Sequence, residues 1–466
     1  MRAIQGTRWL GLLPFLAGIF LIGLYSHVLR PIWYDEMVYF VLGGLDSPAE
    51  LVQVLQETTS NVNQGQTGAY MALVYSSLKT FGASLISLRL VSILFSVVFL
   101  VTSLLFLRRK GLTWTWQLLY VVLLAGAATL NLFMSEARVY IALVTAVSSA
   151  LLFYSYAPEE RTRTVTVFGW VSILFLAIVH PYAAIYLPLI IFFSFLTRND
   201  RKTNQGVSGL LRWANPALVV AAAVTYTVLA ASTWLRGTAI FEGDPWEWIE
   251  APLWLVLVDH LLMPFVTQTN TALLWLLVLV MSTAFILIRT PLTTVVNRLA
   301  GPILLLLVAF FSSAVVSMIS LFNDFWILPR QWVASIALAV VAMTWLLHEL
   351  WVAVRLNSPS VALSFQLAVT AIALASVFSL TQFQLTKWIV TVRSYPEEIP
   401  VDFTRQDLSS RLDKGEALSE KDWIRFAQTN TIQGGGVWPS FGEYYRARDW
   451  SNFAVVTDPG QLTIYD

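Results

Sequence analysis

The sequence predicts an all-α polytopic membrane protein with about eleven bilayer-crossing helices, and three observations carry that expectation. Apolar residues make up 57% of the 466 positions, charged residues only 12%, and mean hydropathy is +0.67. A soluble domain cannot hide that much apolar surface. Eleven apolar stretches approach the length that crosses a bilayer as helix: about 9–29, 86–107, 112–133, 139–156, 165–180, 182–197, 214–234, 271–288, 300–321, 331–353 and 361–382. The basic residues between them fall unevenly. Fourteen (Arg2, Arg8, Arg108, Arg109, Lys110, Arg161, Arg163, Arg198, Arg201, Lys202, Arg212, Arg289, Arg298, Arg355) lie on the N-terminal side of the membrane. Six (Arg30, Lys79, Arg89, Arg138, Arg236, Arg330) lie on the other side before residue 383. Cytoplasmic loops retain positive charge, so the N-terminus is expected inside and, after an odd number of spans, the C-terminus outside.

The first span follows Arg2 and Arg8, is long, and has no small-residue cleavage site before Arg30, so it reads as a retained anchor. Residues 30–85 are too polar to cross and too apolar for a free linker. There Ser47 can cap a helix starting at Pro48, because its hydroxyl satisfies an orphan amide and proline at the first helical position loses no hydrogen bond. The run from Ala69 to Phe81, with Tyr70 and Lys79 to its sides, suits a second helix lying on the membrane. A second outer segment, 235–270, carries tryptophans suited to headgroup level, and its apolar stretch 251–266 is interrupted by Asp259, His260 and Pro264, so it is read as re-entrant or interfacial. From about Lys387 the chain turns polar, with a helical pattern over 408–426 and a loop at Gly434-Gly435-Gly436. Two domains are therefore expected: a membrane domain over 1–385 and a small extracytoplasmic domain over 386–466.

Absences narrow the chemistry. Without cysteine there is no disulfide, thiolate metal site or cysteine nucleophile. No Asn-x-Ser/Thr sequon occurs, which favours a bacterial or archaeal plasma (inner) membrane. A net charge of +1 argues against nucleic acid as a partner.

The polar positions recur at the outer ends of spans. Trp33-Tyr34-Asp35-Glu36 leaves the first span, and Asn63-Gln64-Gly65-Gln66 precedes the second outer helix. Ser135-Glu136-Ala137-Arg138-Val139-Tyr140 and His180-Pro181-Tyr182 join neighbouring spans with almost no loop, and Pro329-Arg330-Gln331-Trp332 opens the tenth. Each admits a structural explanation: a solvated loop, a glycine turn, a Glu136–Arg138 or Asp35–Arg138 pair that orients helices, a satisfied core histidine, or an Arg330 that snorkels to headgroups. Ionisable groups at membrane depth are costly, however, and as a set these suit an enzyme handling a lipid phosphate. Arginine's fork matches a pair of phosphate oxygens, and a carboxylate can deprotonate an incoming hydroxyl.

This arrangement resembles the GT-C superfamily of lipid-phosphosugar-dependent glycosyltransferases, in the branch of protein O-mannosyltransferases and lipid A aminoarabinose transferases. The likeness covers most of 8–355 and rests on Trp33 to Tyr39, on Gly68-Ala69-Tyr70 through Phe81-Gly82, and on Leu88-Arg89-Leu90-Val91-Ser92. Ala137-Arg138-Val139-Tyr140, His180-Pro181-Tyr182 and Pro329-Arg330-Gln331-Trp332 match further recurrent positions. This chain departs from the pattern at Asn63-Gln64-Gly65, where relatives often place His-Pro or an acidic residue followed by Lys, and at Trp332, where the motif usually reads Arg-Tyr.

The resemblance implies a GT-C-like bundle that transfers a single sugar from a polyprenyl-phosphate donor to an acceptor lipid, glycan or protein on the outer face. It implies Asp35 as base with Glu36 beside it, Arg138, Arg330 and His180 at the donor phosphate, and Tyr34, Gln64, Gln66, Tyr70, Glu136, Tyr140 and Tyr182 as substrate contacts. The Asp35-Glu36 pair admits a divalent cation, Mg or Mn, without requiring one. Two other readings fit the same charges: a lipid-linked substrate transporter or flippase, and an outer-face glycan polymerase or ligase using pyrophosphate-linked donors.

Overall fold

A computed structural model describes residues 11–25, 36, 39, 45, 47–57, 68–82, 85–134, 136–197, 252–262, 269–322, 329–394 and 414. Tyr34, Asp35, Gln64, Gln66, the span expected over 214–234 and nearly all of the expected C-terminal domain lie outside the described residues. Every other expected span contains a helix. In chain order these are α1 (Leu13–Tyr25), α4 (Leu85–Arg109), α5 (Trp114–Ala125) with α6 (Ala128–Phe133), α7 (Val139–Tyr154), α8 (Arg163–Val179), α9 (Ala183–Leu196), α11 (Thr269–Arg289), α12 (Leu292–Phe322), α13 (Val333–Asn357) and α14 (Pro359–Ser394). No strand occurs among the described residues. Among the described residues four helices are long and apolar enough by themselves to cross a bilayer, and the chain is an integral membrane protein.

The segment between α1 and α4 holds the two expected helices, α2 (Pro48–Glu57) and α3 (Ala69–Phe81). Ser47 caps α2, its hydroxyl accepting the Glu50 amide at 3.1 Å. Gly68 and Gly82 bound α3 with φ of 82° and 81°, a region that side-chain-bearing residues rarely adopt. Between the spans, α10 (Leu253–Leu262) has 10 residues. At 1.5 Å per residue it covers about half the bilayer core, in keeping with an interfacial or re-entrant segment.

Two helices form the centre. Every residue of α7 except Tyr140 is buried, and α13 is buried along most of its length. Both are apolar on all faces, the pattern of a helix surrounded by protein rather than one that splits its faces between core and lipid. Close approach is bought with small residues: a Cβ on Gly169 of α8 would stand 2.2 Å from the Phe153 ring of α7, and one on Gly301 of α12 would stand 2.5 Å from Trp345 of α13. Meanwhile α11 and α12 leave Leu273, Leu277, Met281, Ile288 and Phe311 exposed, as suits lipid-facing helices.

The span expected over 112–133 is broken between α5 and α6. Asn131 bridges the break: its amide donates to Leu124 O at 3.1 Å and Ala125 O at 2.9 Å, tying α6 back to the end of α5.

Candidate active site

Because several spans are short, the turns joining them lie within the protein. Glu136, Ala137 and Arg138, between α6 and α7, are all buried, as are His180 and Pro181 between α8 and α9. Irregular backbone at membrane depth is tolerated only where protein or a cavity satisfies it, and here a directed set of hydrogen bonds does so.

Glu36 is the first anchor. Its Oε1 accepts from Arg89 Nε at 2.8 Å and from the Ala137 amide at 2.8 Å, and its Oε2 accepts from Arg89 Nη2 at 2.6 Å. Both side chains are 0% exposed. This two-pronged pair fastens the chain after α1 to α4 and to the turn before α7. Arg89 sits one turn inside α4, where a charge is tolerated only with an opposite partner. Removing either member strands the other.

The same face of α4 holds the turn from below. Ser92 Oγ donates to Glu136 O at 2.5 Å, and Ser96 Oγ to Met134 O at 2.5 Å. Since the single Ser92 proton is used there, the 2.5 Å contact between Ser92 and Tyr70 has the Tyr70 phenol as donor. Tyr70, on α3, stacks edge-on against Tyr39 at 5.4 Å, so the outer helix is tied to the membrane bundle by its predicted side chain.

Beyond the turn lies a cationic and aromatic cluster. Arg138, 1% exposed, stands 3.8 Å from Glu136 Oε1 and 5.7 Å from the Tyr140 ring. Burial pushes the Arg138 guanidinium down to about 9, helped by the neighbouring charge of Arg330. The Pro329–Trp332 turn packs against α6, the short helix that leads into the Arg138 turn, so two arginines far apart in sequence approach one site. Each precedes one of the two central helices, so the bundle's innermost pair carries both to the same end.

His180 completes the cluster, 4.4 Å from the Tyr182 ring and 6.1 Å from the Tyr140 ring. The Tyr182 amide, which can only donate, meets His180 Nδ1 at 3.2 Å. The ring proton is therefore on Nε2, leaving that N–H as the donor. With Nδ1 occupied as an acceptor, the ring is a neutral group.

The structure thus brings together Glu36, Tyr70, Glu136, Arg138, Tyr140, His180, Tyr182 and Arg330 among the predicted residues. The sequence reading named Arg89 and Ser92 only as part of a motif, without a role; the signal available was an arginine just inside an apolar span, which needs a counter-charge. It gave no role to Ser317 or Ser320, which resemble any other small polar residue on an apolar helix. Among the described residues no three His, Asp or Glu side chains gather as a metal site, and both Glu36 oxygens are committed to Arg89 and Ala137.

No protein-family model matches the chain, and a comparison with curated proteins returns no match. Two solved structures are similar: ArnT from Cupriavidus metallidurans in the apo state and the same protein bound to undecaprenyl phosphate. Both share 15% identity and cover 98% of this chain, spanning 78% and 77% of theirs with TM-scores of 0.44 and 0.46. Similarity at this level carries nothing about activity, which has to come from this chain's own residues.

Proposed function

We propose that the protein is an integral-membrane glycosyltransferase that moves one sugar from a polyprenyl-phosphate donor to an acceptor lipid, glycan or protein on the outer face of the plasma (inner) membrane. The observation that carries this is the packing of the Arg330 turn against α6, which leads into the Arg138 turn, with Tyr140 linking Arg138 to the neutral His180, at the end of the bundle that the charge asymmetry assigns to the outside. Two planar forks in a water-poor site suit the oxygens of a phosphate that gains charge as its bond to sugar breaks.

Asp35 is the base. It removes the acceptor's proton as the acceptor oxygen attacks the anomeric carbon from the face opposite the phosphate; the sugar–phosphate bond breaks and its electron pair leaves on the polyprenyl phosphate, giving inversion. Glu36, with its oxygens held by Arg89 and the Ala137 amide, fixes the backbone that carries Asp35. His180 Nε2–H supplies a neutral donor, and Tyr70, Tyr140, Tyr182 and Glu136 shape the sugar and acceptor contacts. No step is assigned to a metal. Residues 386–466 form an outer cap in this reading.

Asp35→Asn tests it. The substitution keeps size and polarity but removes the base, so transfer by purified protein should fall ~10²–10⁴-fold while donor binding persists. Near-wild-type turnover would remove Asp35 from the chemistry. Lipid movement without sugar transfer would favour the transporter, and transfer only from a pyrophosphate-linked sugar would favour the polymerase or ligase.

A further inference from the structure

Arg138 and Arg330 are like charges in a site of low polarity, where repulsion is weakly screened. The Pro329–Trp332 turn is held on α12 by the side chains that follow Arg330. Gln331 and Trp332, the residues following Arg330, are both buried, and both reach α12. Trp332 Nε1 donates to Ser317 Oγ at 3.0 Å, and Ser320 Oγ donates to Gln331 Oε1 at 3.3 Å. The two serines are three positions apart, on one face of the helix.

Their single protons are spent in a consistent direction. Ser317 donates onward to Ser313 O at 2.9 Å, which leaves its oxygen to receive the indole. Ser320 gives its proton to Gln331, and Tyr182 packs against the apolar cluster that holds the Trp332 ring. The Trp332 ring therefore joins the turn bearing Arg330 to the turn bearing His180. One helical face further down, Ser312 and Ser335 meet at 2.8 Å, and Tyr186 of α9 meets Ser335 at 2.8 Å, continuing the seam between the same three helices.

We propose that Ser317 and Ser320 of α12 are positioning residues that clamp the Pro329–Trp332 turn, so that Arg330 stands beside Arg138 before the donor phosphate arrives. This rests on the reading of the arginine cluster as a phosphate site. The clamp pays the repulsion in advance, which is what preorganisation means for a charged site.

The experiment measures binding of polyprenyl monophosphate in detergent to the purified full chain carrying Ser320→Ala, Trp332→Phe or Arg330→Leu, and each of the first two combined with Arg330→Leu. Trp332→Phe removes the indole N–H while keeping most of the ring, so it covers the case in which Ser320→Ala does not fold. Each clamp variant is expected to weaken binding ~3- to 10-fold, the scale of one lost buried hydrogen bond. Neither should weaken it further once Arg330 is gone, because a positioning residue has nothing left to position. Ser320→Thr, which keeps the hydroxyl, should restore affinity. Losses that add fully to that of Arg330→Leu, or unchanged affinity in both clamp variants, would overturn the clamp while leaving the phosphate site standing. Unchanged affinity in Arg330→Leu itself would overturn the phosphate site and the clamp with it.

Discussion

The two ends of the bundle hold the same kinds of charged residue under opposite conditions. At the end where α4, α7 and α13 finish, five cations lie across aromatic rings: Arg109 at 3.6 Å from Tyr156, Arg161 at 4.3 Å from Phe153, Lys110 at 4.8 Å from Trp345, Arg289 at 5.0 Å from Phe285 and Arg355 at 5.1 Å from Trp351. Ion pairs there are partly solvated, as between Arg109 and Glu160, which are 29% and 55% exposed. At the other end Glu36 and Arg89 are sealed, Arg138 is 1% exposed, and the polar atoms are joined in directed chains through Ser92, Ser317 and Ser320. The first arrangement lets long side chains cover apolar surface while keeping water. The second incurs the desolvation cost of buried charge, which a protein sustains where geometry has to be fixed.

The widest gap should appear when one ion pair from each end is broken. Arg89→Leu leaves Glu36 buried without its fork, and ~3–5 kcal/mol of stability should be lost. A thermal melt within a degree or two of wild type would show that the sealed pair is not needed. Arg138→Leu should act on binding more than on folding, weakening polyprenyl-phosphate affinity ~10- to 100-fold through loss of charge-assisted hydrogen bonds. Equal affinity in the variant would move the phosphate elsewhere.

The proton affinity of Arg138 sharpens the contrast. Free, it is pushed down to about 9; with a phosphate bound, the anion raises it again. Binding therefore takes up a proton once pH exceeds about 9, so affinity should be level between that pH and about 7, where the phosphate has lost its second proton, and fall above about 9. In Arg138→Leu the added slope should vanish, and a titration showing the same slope in both proteins would assign it to another group. The smallest effect is expected at the opposite end, where Arg109→Gln removes a half-exposed pair and a stacking contact. It should cost about 1 kcal/mol or less and leave phosphate binding untouched. A large binding defect there would dissolve the distinction between the ends.

Much of this architecture was legible without coordinates. Apolar stretches of bilayer length mark the spans because lipid offers no partner for backbone amides, and the cap at Ser47 and the helix from Ala69 to Phe81 follow from local chemistry. That the motif residues fall at one end follows from counting alternate crossings. Which of them meet was not legible. The order of spans in sequence does not say that α7 and α13 are the central pair, and it is that packing which brings Arg138 to Arg330. Nor does the adjacency of Asp35 and Glu36 say which carboxylate is committed elsewhere; only the fold, by setting Arg89 and the Ala137 amide against Glu36, gives that acid a partner. Sequence determines what each helix can bury, since that depends on composition along one chain segment. The pairing of buried charges depends on distances between segments, and those are decided by how the helices pack.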